Sequence, residues 1–187
     1  IFSSRNTIGG TTPAARNVIS GMTGAGVYVA GYWDRPEQCT NNRVLGNYIG
    51  TDATGRLALG NQDGVDISEA FGTMIGGSDA GAGNVISGNT TWGIQAHQWA
   101  SDLAGTTVQG NFIGVDATGT AALGNGEGGI NLAGWNCLIG GDDPQMGNVI
   151  SANGGNAIFI SGSGDAPQPQ PAGRHIIQGN FIGTDLT

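Results

Sequence analysis

Ile75-Gly76-Gly77-Ser78-Asp79-Ala80-Gly81-Ala82-Gly83-Asn84-Val85-Ile86-Ser87 is the stretch on which the reading of this chain turns, because its framework occurs three times. The other copies are Ile8-Gly9-Gly10 with Asn17-Val18-Ile19-Ser20, and Ile139-Gly140-Gly141 with Asn148-Val149-Ile150-Ser151. A further phrase follows each copy, as Gly46-Asn47-Tyr48-Ile49-Gly50, Gly110-Asn111-Phe112-Ile113-Gly114 and Gly179-Asn180-Phe181-Ile182-Gly183. Self-similarity at a regular period is the signature of a solenoid, in which each repeat buries its apolar side only by stacking on its neighbours.

The composition fits one continuous core. The chain has 187 residues, read as a single domain over 1–187 with two-coil repeats at approximately 6–72, 73–136 and 137–187. Its 37 glycines follow no Gly-X-Y period, which excludes collagen. The apolar residues come in strand-sized, β-branched bursts bounded by Gly or Asn, which argues against disorder. Six arginines, no lysine and fourteen acids leave a net charge of -8. That balance argues against nucleic acid and against polyanions held in a basic groove. No stretch is long and apolar enough to cross a membrane as a helix, so membrane insertion is not expected. Cys39 and Cys137 lie about three coils apart at ~4.8 Å per coil, too far to bridge, so two free thiols are expected. Because Ile1 and Thr187 both fall inside repeats, the chain is expected to continue in a longer protein or to stack end to end with itself.

Three families of short strand recur in strict rotation. The first comprises Val27-Tyr28-Val29, Val65-Asp66-Ile67, Ile94-Gln95-Ala96, Ile130-Asn131-Leu132 and Ile158-Phe159-Ile160; the second centres on Ile8, Leu45, Ile75, Val108, Ile139 and Ile177. The third follows the asparagines, as Val18-Ile19, Tyr48-Ile49, Val85-Ile86, Phe112-Ile113, Val149-Ile150 and Phe181-Ile182. Three strands per turn in one order predict an all-β, single-stranded, three-sheet parallel β-helix of five to six coils. Asn17, Asn47, Asn84, Asn111, Asn148 and Asn180 mark the same corner once per coil and predict an asparagine ladder. Asn tolerates a left-handed corner backbone, and stacked amides can bond one another along the solenoid. From Val27 to Val65, Ile94, Ile130 and Ile158 the steps are 38, 29, 36 and 28 residues, so long and short coils alternate.

With its corner asparagines, the chain resembles the right-handed parallel β-helix proteins of the pectate lyase superfamily type. Gly50-Thr51-Asp52-Ala53-Thr54-Gly55, repeated as Gly114-Val115-Asp116-Ala117-Thr118-Gly119 and begun again at Gly183-Thr184-Asp185, resembles a repeat of large secreted or surface bacterial β-helix proteins. The resemblance implies an extracellular or cell-surface location and a choice of roles among lyases, hydrolases, epimerases, adhesins and spacers. It also implies that any active groove lies on the first strand family.

Alternation along that family turns Tyr28, Asp66, Gln95, Asn131 and Phe159 outward. Adjacent loops add Tyr32, Trp33, Glu69, His97 and Trp99. One reading is a glycan groove in which Tyr28, Tyr32, Trp33 and Trp99 cover sugar faces while Gln95 and Asn131 hold hydroxyls. A catalytic reading assigns Asp66, Glu69 and His97 as acid and base groups, since glycoside cleavage commonly uses two carboxyls. The paired-Asp, His-Gly and Arg-Ile-Lys signatures of polygalacturonase-like hydrolases are missing, which weighs toward a structural or adhesin-type module. No cofactor is implied. Ca²⁺ is the one ion considered, at Asp52, Asp116 and Asp185, but one carboxylate per loop is few and Asp-x-x-Gly is also a type I turn signal. His97 and His175 are too isolated for zinc. Asn89-Thr90-Thr91 has the form of an N-glycosylation acceptor and is read as coincidental.

Overall fold

The computed structural model describes residues 1–32, 34–97, 105–161 and 174–184. The first coil holds β1 (Thr7–Gly9), β2 (Val18–Ile19) and β3 (Val27–Ala30). The second holds β4 (Arg43–Leu45), β5 (Tyr48–Ile49) and β6 (Val65–Ser68). In the third are β7 (Met74–Gly76), β8 (Val85–Ile86) and β9 (Trp92–His97). The fourth has β10 (Thr107–Gln109), β11 (Phe112–Ile113) and β12 (Gly128–Ala133). The fifth has β13 (Leu138–Gly140), β14 (Val149–Ile150) and β15 (Ile158–Ser161). β16 (Ile176–Gln178) and β17 (Phe181–Ile182) begin a sixth.

Equivalent strands pair in parallel. Sheet one runs β1-β4-β7-β10-β13-β16, sheet two β2-β5-β8-β11-β14-β17, and sheet three β3-β6-β9-β12-β15. The molecule is a right-handed parallel β-helix, the hand that twisted parallel strands favour in their crossovers. β-Branched side chains suit its pleated inner surface. Val44, Ile75, Val108 and Ile139 from sheet one meet Ile49, Ile86, Ile113 and Ile150 from sheet two, all fully buried. Val29, Ile67, Ala96 and Leu132 close the core from sheet three. Each large aliphatic side chain so buried contributes about 1.5–3 kcal/mol. The equivalent residues of the last coils, Ile160, Ile177 and Ile182, are 46%, 38% and 49% exposed, because no described coil stacks on them.

Two expectations need correction. In sheet one Val44, not Leu45, aligns with Ile8 and Ile75, while Leu45 aligns with Gly9. Counting back from the corner asparagine explains it, since Val108 and Ile177 also stand three residues before theirs. Nor do the ladder asparagines take the left-handed backbone. In the short corners the preceding glycine does, with φ of 66° at Gly46 and 67° at Gly110.

The corner from sheet one to sheet two carries the expected ladder. The Asn84 side-chain Nδ2 and backbone N–H both donate to Asn111 Oδ1, at 2.9 and 3.0 Å. The same pattern joins Asn17 to Asn47, Asn47 to Asn84, Asn111 to Asn148 and Asn148 to Asn180. Gly83 lies beneath the next coil, where a Cβ would come within 1.9 Å of the Gly110 carbonyl.

A second ladder, absent from the sequence reading, occupies the corner from sheet two to sheet three. Asn61, Asn89 and Asn125 donate through Nδ2 to Asn89, Asn125 and Asn153 Oδ1 at 3.1, 2.8 and 2.9 Å. It begins at Met22, whose backbone N–H donates to Asn61 Oδ1. Asn89 is 2% exposed and its amide is committed to this stack, so the Asn89-Thr90-Thr91 signal is not an accessible glycosylation site in the folded chain.

Candidate functional site

The outward face of sheet three is assembled by strand register. Tyr28 aligns with Asp66, Asp66 with Gln95, Gln95 with Asn131, and Asn131 with Phe159. At ~4.8 Å per strand these five side chains form a row of about 19 Å. Both ends are aromatic and exposed, Tyr28 at 45% and Phe159 at 43%. Phe2 meets Tyr28 edge-on with centroids 6.3 Å apart and lies 5.9 Å from Tyr32. At the other end Trp92 lies 6.3 Å from Phe159, tilted by 33°. Its ring crosses Gly128, where a Cβ would come within 2.2 Å of it.

The middle of the row is polar and organised by Asp63, which is 6% exposed and which sequence reading missed. Strict alternation from Val65 turns Asp63 inward. Gly64 breaks the alternation, because its own Cβ position faces the core beside Ile86. Asp63 Oδ1 therefore accepts the Thr91 hydroxyl, the Trp92 N–H at 3.3 Å and Gln95 Nε2 at 2.9 Å. Gln95 Oε1 in turn bonds His97 Nε2 at 3.1 Å and accepts Asn131 Nδ2 at 3.4 Å.

Asp66 stands next to this chain of bonds. Its Oδ1 and the Oδ1 of Asn131 are buried and have no hydrogen-bond partner. Burial raises the Asp66 carboxyl above its ordinary value of 3.8, while His97 pulls it down and Asp63 pushes it further up. Buried polar atoms are nearly always paired, so two orphan acceptors on either side of Gln95 mark a place that a donor would satisfy.

The remaining candidates are scattered. Glu69 follows β6 in a left-handed conformation (φ 50°), is buried, and stands outside the aligned row. Tyr32 is exposed and bridges to Arg35 in the first coil. Trp33, Trp99 and Asp185 lie outside the described residues. Asp52 is taken up by its own turn. The backbone N–H of Arg56 above all, then that of Leu57 and the Thr54 hydroxyl, hold its carboxyl below the ordinary range. At Asp116 burial is the largest single influence and acts upward, but bonds from Thr118, Ala121 and Thr120 outweigh it and leave the carboxyl lowered. Among the described residues no three His, Cys, Asp or Glu side chains gather as a metal site would require.

Sheet two has an outward row of its own, Val18, Tyr48, Val85, Phe112, Val149 and Phe181. A cavity of about 230 Å³ opens there, with the Arg16 guanidinium 4.1 Å above the Tyr48 ring. It has no carboxylate and no orphan polar atom, and so offers less chemistry than sheet three. No protein-family model, curated protein or solved structure matches the chain.

Proposed function

We propose that this chain is a structural or adhesin-type β-helical module of an extracellular or cell-surface protein, and that it binds glycan along the outward face of sheet three. The observation that carries the reading is the pair of buried, unpartnered oxygens on Asp66 and Asn131, set between exposed aromatic ends. Aromatic faces cover the C–H surfaces of sugar rings, and fixed polar atoms between them orient hydroxyls. The pectate lyase-like resemblance and the secreted bacterial setting belong to this proposal and agree with it.

A second reading, a polysaccharide-active lyase, hydrolase or epimerase, draws on Asp66 alone. A half-buried carboxyl raised by desolvation beside His97 is the kind of group that holds a proton for transfer. Both readings are tested by one polysaccharide panel that records binding together with release of reducing ends or unsaturated products. Binding without product supports the module. Product release that disappears in Asp66→Asn supports the enzyme. Neither binding nor product from any polysaccharide contradicts glycan binding and catalysis alike and leaves a purely structural module.

A further inference from the structure

The bonds in the middle of sheet three have a fixed direction, and that direction selects a ligand. A carboxylate only accepts hydrogen bonds, so the Asp63 oxygen that takes the Thr91 hydroxyl and the Trp92 N–H forces Gln95 to turn its NH₂ group toward it. Gln95 Oε1 then faces the other way. It can receive only donors, which makes His97 Nε2 carry the hydrogen and makes Asn131 present its NH₂ side. The carbonyl oxygen of Asn131 is turned away from Gln95 and stays unpartnered, as does Asp66 Oδ1. The two atoms that this face leaves buried without a partner, Asp66 Oδ1 and Asn131 Oδ1, are both acceptors, and the Asp63 carboxylate lies beside them.

Building on the glycan-binding reading, we infer that the face is specific for uncharged oligosaccharides, whose hydroxyls donate to Asp66 and Asn131, and that Gln95 is the positioning residue that sets this polarity. A uronic acid or sulfated sugar brings groups that only accept. It would meet acceptor against acceptor and charge against the Asp63 and Asp66 carboxylates. A site built around unpaired polar atoms rejects ligands that cannot pair them far more strongly than an apolar pocket rejects a misfit.

The test is calorimetric titration of the whole chain with cellotetraose, xylotetraose and mannotetraose on one side and tetragalacturonate on the other. The expected result is binding of at least one neutral tetrasaccharide and binding of tetragalacturonate at least roughly tenfold weaker than that. Gln95→Leu should lower neutral binding by about tenfold and shrink the neutral-to-acidic ratio, which a purely structural role would leave alone. Asn131→Ala, a change at a half-buried surface position, should weaken the neutral ligand similarly while leaving the circular dichroism spectrum unchanged. Equal or tighter binding of tetragalacturonate overturns the inference while glycan binding stands. Failure of all four sugars to bind overturns glycan binding as well.

Discussion

At the corner between sheets one and two, asparagine amides stack without a break from Asn17 to Asn180. At the corner between sheets three and one a stack also begins, with Asn6 donating to Asn42 Oδ1 at 2.9 Å, and then stops. By the register of sheet one, the next positions are Thr73, Thr106, Cys137 and His175. Asn42 donates to its own loop at Cys39, Thr73 to Ala70, and the Thr106 hydroxyl is buried without a partner. A stacked corner is a shared structure, since removing one amide leaves donors and acceptors unpaired in the coils on both sides. An unstacked corner lets each coil end in its own way. Beside that corner stand His97, at the end of β9, and Glu69, just after β6, and the polar row of sheet three runs alongside it. The arrangement follows the usual division in which a rigid scaffold holds chemically varied loops.

The sharpest way to break this comparison is to delete one amide from each ladder. Asn111→Ala should lower unfolding stability by on the order of 3 kcal/mol in urea titration, because Asn84 loses its acceptor and the Ile75 carbonyl loses a donor. Asn89→Ala should cost a similar amount, and a loss near zero there would mean that the second ladder contributes nothing. The third corner should answer differently. Thr106→Val keeps the shape and removes the orphan hydroxyl, so it should be neutral or stabilising by up to about 1 kcal/mol.

The face itself has a pH signature. A carboxyl whose folded value is raised costs nothing below the ordinary value of 3.8, where it is protonated in both states. Stability falls as pH rises from there to the folded value, and the penalty persists above it. Asp66→Asn should therefore stabilise the chain at pH 7 and lose that advantage near pH 3, as measured by thermal unfolding at the two pH values. The smallest effect concerns metal. Because Asp52 and Asp116 are spent on their own turns, adding Ca²⁺ or a chelator should move the melting temperature by less than about 1 °C.

The first ladder was legible because its asparagines stand in one recurring phrase, just before Val-Ile or an aromatic-Ile pair. The second was hidden because its asparagines alternate between two phrases, Ala-Leu-Gly-Asn at Asn61 and Asn125 and Val-Ile-Ser-x-Asn at Asn89 and Asn153, so that no one phrase marks every coil. Their spacing of 28, 36 and 28 residues matches the coil period, and that periodicity was the available signal. The outward row of sheet three could be read from alternation alone. The relay could not, since Asp63 joins it only where Gly64 interrupts the alternation, and the orientation of an amide is set by its partners in space. The cysteines were simpler: both are buried and neither is in a disulfide, and burial pushes the Cys137 thiol up to about 11.

The measurement that tests the central claim most directly is a nuclear magnetic resonance titration of isotopically labelled chain with the best-binding of cellotetraose, xylotetraose and mannotetraose. The account predicts that the side-chain amides of Gln95 and Asn131 and the backbone amides of Asp66 and His97 shift together. The stacked amides of Asn84, Asn111 and Asn125 should stay in place. Shifts centred on Tyr48 and Phe112 of sheet two, with sheet three silent, would contradict it.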